Sequence, residues 1–188
     1  MIKFNPHIDI FFIFSSLLIF SFFGCLGQSS DNGFQGMDKL IEETMPKISQ
    51  PSSIFSIDDF KNVEFKVLRG YENVEKLEGL QESWHGIFQK SEYEIRFYKS
   101  YEDANTFGTE DANLVTGESG VVTGDVPWKE GAKDRRRCSR PPGQPHSGCN
   151  YTSKYGDYIV IGNVILMCEG KDILESREAC NKLTKNLN

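Results

Sequence analysis

The sequence predicts an α+β fold, an antiparallel sheet with helices packed on one of its faces. Three observations predict it. Tyr93, Ile95 and Phe97 alternate with Glu92, Glu94, Arg96 and Tyr98, the period of a strand with one buried face. Tyr158-Ile159-Val160-Ile161 and Val164-Ile165-Leu166-Met167 flank Gly162-Asn163, so two apolar strands meet at a two-residue link. A stripe of helical period follows each strand pair. Hairpin-then-helix thus occurs twice, which suggests a duplicated ββα-ββα two-layer sandwich.

Taken in order, Leu26 to Gly36 is rich in Gly, Ser, Gln and Asn and reads as a flexible tether. Met37, Leu40, Ile41 and Met45 have helical spacing, stopped by Pro46. Gln50 to Ser53 breaks the chain again, and Val63 to Arg69 alternates weakly as a strand. Asn73 to Phe88 is ambiguous. A short turn or helix followed by a strand at Ser83 to Phe88 fits it best, with Gln89 to Ser91 turning into the strand at Glu92 to Tyr98. Ser100 and Asp103 form a capping box for a helix whose inward stripe is Ala104, Phe107, Gly108, Ala112 and Val115. Gly108 costs about 1 kcal/mol against alanine there, so close packing on the sheet is expected. Gly117 stops that helix. Glu118 to Gly156 is long and irregular. Gly162 favours a type II′ hairpin turn, since glycine adopts positive φ freely. After Gly170, Ile173, Ser176, Cys180, Leu183 and Leu187 share one helical stripe.

The leader stands apart from this pattern. Lys3 lies ahead of an almost wholly apolar run from Ile10 to Phe23, about 14 residues, the length of a signal-peptide core and short for a bilayer span. Phe22-Phe23-Gly24-Cys25 follows. Gly24-Cys25 after such a run resembles the lipobox of bacterial lipoproteins, although Phe22 stands where leucine is usual and Phe23 is bulky. The resemblance covers these four residues and the run before them. It implies cleavage before Cys25, a lipid on that thiol, and a body held on the extracytoplasmic face of the cell membrane. An uncleaved anchor from Ile10 to Leu26, or plain secretion, are the alternatives. The expected organisation is a signal peptide at 1–24, a lipid-attached tether and short helix at 25–53, and one α+β domain at 54–188.

Four cysteines remain after Cys25: Cys138, Cys149, Cys168 and Cys180. An even number in an exported chain suggests two disulfides. Of three pairings, Cys138 with Cys149 and Cys168 with Cys180 are favoured, the second tying a strand to the last helix. None of their spacings matches a zinc motif, so neither metal nor cofactor is expected.

The net charge of −6 argues against nucleic acid as a partner. One segment runs against it: Lys129 to Arg140 carries six basic residues just after Trp128. Arginine forks grip carboxylates and phosphates, and a tryptophan can stack on a sugar. Trp128, Lys133, Arg135, Arg136, Arg137, Arg140 and His146 are therefore the candidate ligand-binding residues, for an anionic envelope ligand. The competing reading is a solvated loop whose arginines pair with the domain's acids. His85 and His146 each lack a carboxylate motif beside them, and no nucleophile elbow, phosphate loop or zincin motif occurs. No catalytic residue is assigned. The sequence thus leads to a lipid-anchored binding or accessory protein of the bacterial envelope, its partners being the membrane through Cys25 and an anionic ligand or a protein. The alternatives are an envelope enzyme with its site in the 118–156 loop and an interaction module pairing through a sheet edge.

Overall fold

A computed structural model describes residues 31–138 and 151–187 of the chain. Six strands form one sheet: β1 (Ile48–Ser49), β2 (Lys66–Gly70), β3 (Leu80–Phe88), β4 (Ser91–Tyr98), β5 (Tyr155–Ile161) and β6 (Val164–Glu169). Their spatial order is β1-β5-β6-β4-β3-β2. All neighbours are antiparallel except β1, which joins the edge of β5 in parallel. The sheet is therefore mixed rather than purely antiparallel. The helices are α1 (Asp31–Thr44), α2 (Ile57–Asn62), α3 (Tyr101–Asp103), α4 (Thr109–Val115) and α5 (Ile173–Thr184). A π-helical turn, Ala104–Gly108, joins α3 to α4 in one run. No helix among the described residues is long and apolar enough to cross a membrane.

The helices lie on both faces of the sheet, which corrects the one-sided arrangement expected. One core gathers Ile95, Phe97, Leu166 and Cys168 of the strands with Phe60 of α2 and Ala179, Cys180 and Leu183 of α5. The other gathers Tyr98, Val160, Ile165 and Met167 with Ala104, Ala112 and Val115 of the π-turn and α4. The repeated hairpin-then-helix order is real, but the two helices fall on opposite faces. That rules out a two-layer ββα duplication, because the twofold axis relating β4 to antiparallel β6 would place both helices on one face. The physical reason sits in β6: all of Val164 to Cys168 are fully buried, so each face of the strand needs its own cover.

Local chemistry accounts for the individual elements. α1 starts six residues ahead of the expected helix, within the stretch read as tether. The propensity cost of Gly33 and Gly36, about 1 kcal/mol each, is outweighed by the docking of Ile41 on the body. α2 is capped by Ser56, whose N–H and hydroxyl both donate to Asp59 at 2.8 Å; these bonds hold the Asp59 carboxyl below its ordinary value. Ser100 caps α3 by accepting from the Asp103 N–H. A Cβ on Gly108 would lie 2.5 Å from Ile165 and 2.8 Å from the Tyr98 ring, so the helical run packs directly on the sheet there. Gly162 takes φ +53° in the β5–β6 turn while Asn163 keeps a negative φ, as a type II′ link requires. The Asn163 side chain then straps the turn to the domain: it accepts from Phe55 N–H at 2.6 Å and donates to the Phe55 and Tyr98 carbonyls.

Cys168 and Cys180 form a disulfide between β6 and α5, with Cα atoms 5.5 Å apart. Both of its ends lie among the described residues; the expected bridge of Cys138 to Cys149 has its second end outside them.

Candidate functional site

β4 is central, so the Glu94 and Arg96 face of the strand is covered instead of facing water. The covering is the segment between α4 and β5, the same segment that carries the basic cluster. Arg135 enters the interior from it and meets Glu94 in a two-pronged pair: Nε donates to Oε2 at 2.7 Å and Nη2 to Oε1 at 2.9 Å. Arg96 Nε donates to the same Oε1 at 2.8 Å. Glu94 is fully buried, and both arginines are 1% exposed. Burial pushes the Glu94 carboxyl up, but Arg135 and Arg96 outweigh it and hold the group below its ordinary value.

Trp128 walls this pair. Its ring centroid lies 4.9 Å from the Arg135 guanidinium carbon and 5.5 Å from that of Arg96, and its carbonyl accepts from Arg135 Nη1. Tyr71 packs edge-on against it and donates its hydroxyl to Asp134, which Arg69 also engages. Next to Tyr71, His85 stacks on the ring and places Nε2 2.9 Å from Glu92, a carboxylate shared with Lys154. Burial raises Glu92, and the bonds from Lys154 and His85 bring it below its ordinary value.

The sequence-predicted binding residues thus scatter. Trp128, at 2% exposed, and Arg135 belong to the interior rather than to a solvent-facing loop. Arg136 donates to the Val122 carbonyl at 2.8 Å, and Arg137 to the Gly170 carbonyl at 2.7 Å and the Ser153 carbonyl at 3.3 Å. Backbone bonds between 135–137 and 152–154 close the base of the loop. Lys133 and Arg137 stay exposed. Arg140 and His146 lie outside the described residues. Of the expected group, Trp128 and Arg135 are the two brought together among the described residues. Glu94, Arg96 and Asp134 are the residues sequence reasoning missed. The signal available was a pair of opposite charges, two apart, on a strand flanked by apolar neighbours.

A second feature is open to solvent. A cavity of about 760 Å³ lies between α1, the end of α4, β5 and the start of α5; Met37, Ile41, Ile173 and Leu174 give it an apolar wall. An adjoining hollow of about 530 Å³ shares Gly117, Glu118, Gly156 and Lys171 with it and extends to Arg137. Together they make one groove, apolar at the α1 end and charged at the other, where Glu118 and Arg137 lie. Its ionic residues are largely engaged already. Asp157 is held by Lys47 at 3.0 Å and by Arg177, and Arg177 also donates to the Met45 carbonyl at 2.7 Å. Lys171 pairs with Glu175, and Asp172 caps α5 by accepting from the Glu175 N–H. What the groove offers a ligand is shape, apolar surface, the Arg137 cation and the carboxylates of Asp38 and Glu118. Among the described residues, no group of histidine, cysteine and acidic side chains could hold a metal ion.

The class these features define is a small α+β domain with a buried carboxylate–arginine centre and a surface groove. The model for a family of unknown function, DUF6810, matches residues 56–188, and the chain belongs to that family. No curated protein and no solved structure matches the chain. The family match begins at the cap of α2, so three walls of the groove lie within it and the α1 wall lies before it.

Proposed function

We propose that this chain is a lipid-anchored, extracytoplasmic binding or accessory protein of the bacterial cell envelope, acylated on Cys25, and that its ligand occupies the groove between α1 and α5. The address rests on the apolar leader ending at Gly24-Cys25. The observation that carries the binding role is the exposed apolar wall: Met37, Ile173 and Leu174 remain 48%, 42% and 36% exposed around a cavity large enough for a ligand. Arg137 at the far end suits an anionic group on that ligand. The occupant is an envelope component with an apolar part beside an anion.

The test uses the chain purified from membranes and sedimented with isolated envelope fragments. Binding is expected, and the double substitution Ile173→Asp with Leu174→Asp abolishes it while Arg137→Ala weakens it and lowers its sensitivity to salt. Protease treatment of the fragments separates a protein partner from a glycan or lipid. Undiminished binding by the double variant overturns the groove. Mass spectrometry of the same preparation tests the address: an unacylated chain still carrying residues 1–24 overturns it.

A further inference from the structure

The groove carries its apolar and its charged surface in sequence, and that order restricts what can lie in it. Met37, Ile41, Ile173 and Leu174 line the larger part. Asp38 borders it and is exposed. Among the described residues no aromatic side chain lines either part, so a sugar ring has no face to stack on there.

Glu118 and Arg137 line the adjoining hollow together. Glu118 is exposed, and its carboxylate makes no hydrogen bond or ion pair among the described residues. Arg137 spends Nη2 alone on the Ser153 and Gly170 carbonyls, which leaves Nε and Nη1 for a ligand. Glu175 lies within electrostatic reach of Arg137, but its hydrogen bonds come from Lys171 and the Glu175 carboxylate is drawn to that side. One hollow thus presents an open carboxylate and an open guanidinium edge. They call for an ammonium and an anion on the same molecule, and a guanidinium edge suits a phosphate. Beyond them lies a surface for hydrocarbon.

The place of the groove along the chain narrows the source. Five residues, Leu26 to Ser30, stand between Cys25 and the first residue of α1. Six extended steps reach about 20 Å, and Met37 lies a further six residues along the helix, about 9 Å. With Cys25 acylated, the apolar wall is held within about 30 Å of the bilayer, where lipid is the ligand in greatest effective concentration.

We propose that the groove takes one zwitterionic phospholipid, of the phosphatidylethanolamine class, from the membrane that anchors the chain. Hydrocarbon lies against Met37, Ile41, Ile173 and Leu174, the phosphate meets Arg137, and the ammonium meets Glu118. This rests on the binding role and the address proposed above, and it names the occupant.

The chain purified from membranes is equilibrated in detergent micelles holding equal amounts of phosphatidylethanolamine and phosphatidylglycerol with the same acyl chains, then weighed by native mass spectrometry. One retained phospholipid is expected, with phosphatidylethanolamine preferred several-fold. Ile173→Asp with Leu174→Asp should remove it. Glu118→Gln should keep a lipid but abolish the preference; this exposed, isosteric change decides the matter if the double variant does not fold. Arg137→Ala should lower retention of both lipids. No retained lipid, undiminished retention in the double variant, or an unchanged preference in Glu118→Gln each overturn the proposal. Envelope binding without a retained lipid overturns it while leaving the groove reading in place, with a protein or another envelope component as occupant. The same spectrum reports the acyl group on Cys25, so an unacylated chain that retains the lipid overturns the address alone.

Discussion

Glu94 and Arg135 are 41 residues apart in the chain and meet carboxylate to guanidinium fork inside the protein, at 2.7 and 2.9 Å. The pair is the bolt between the central strand and the 118–138 segment that crosses over it. Removing Glu94 strands two buried guanidinium charges, Arg135 and Arg96. Glu94→Leu is therefore expected to cost about 3–5 kcal/mol in chemical denaturation. Replacing the whole group, as Glu94→Leu with Arg96→Met and Arg135→Met, should cost distinctly less than the sum of the single changes.

The same pair sets an acid limit. The Glu94 carboxyl lies below its ordinary value of 4.5 in the folded chain. A group depressed on folding stabilises the fold in its ionised form. Its contribution is complete above 4.5 and is lost as pH falls from there through the lower folded value. Stability measured against pH should drop on the acid side, and Glu94→Gln should flatten that limb at the cost of lower stability at neutral pH.

Gly108 sits where the helical run touches the sheet. Alanine would gain about 1 kcal/mol of helix propensity in a free helix. Here the added methyl meets Ile165 and Tyr98 at under 3 Å. Overpacking of this kind costs about 1–3 kcal/mol, so Gly108→Ala should lower the unfolding midpoint.

Asp157 gathers Lys47 from the N-terminal segment and Arg177 from α5. Asp157→Asn should loosen α1 and β1 before it unfolds the sheet. Hydrogen exchange is the measurement: amides of 37–49 should exchange faster while those of β4 and β6 keep their protection.

Reduction of Cys168–Cys180 frees a loop of 12 residues and should cost about 2–4 kcal/mol, read from denaturation with and without reductant. In the double Cys168→Ala, Cys180→Ala variant the response to reductant should shrink by that amount.

Much of the strand and helix order was legible because local periodicity carries it: the alternation of Tyr93, Ile95 and Phe97, the Gly162-Asn163 link and the Cys180 stripe each depend on near neighbours. The face on which a helix packs does not. Nothing near Ala112 or Leu183 encodes which side of β6 it covers; that follows from both faces of β6 being apolar, a fact the notion of a single buried face conceals. β1 was missed because two residues are too short for a pattern. The basic cluster was legible as a concentration of charge, but its fate was not. Whether Arg135 faces water or Glu94 depends on the 118–138 segment lying over β4, a relation across 41 residues that spacing alone does not contain. The groove was invisible for the same reason, since its walls come from four separate stretches.

The parallel pairing of β1 with β5 has a mechanical consequence. A tug on the residues ahead of α1 travels through that helix and arrives at the sheet margin, where β1 and the Arg177–Asp157–Lys47 cluster share the load. Strain from the N-terminal side is thus taken up by the rigid slab of strands before it can reach the long segment over the opposite face. A pull on the N-terminal end of α1 would leave the groove's far end and the buried centre in shape.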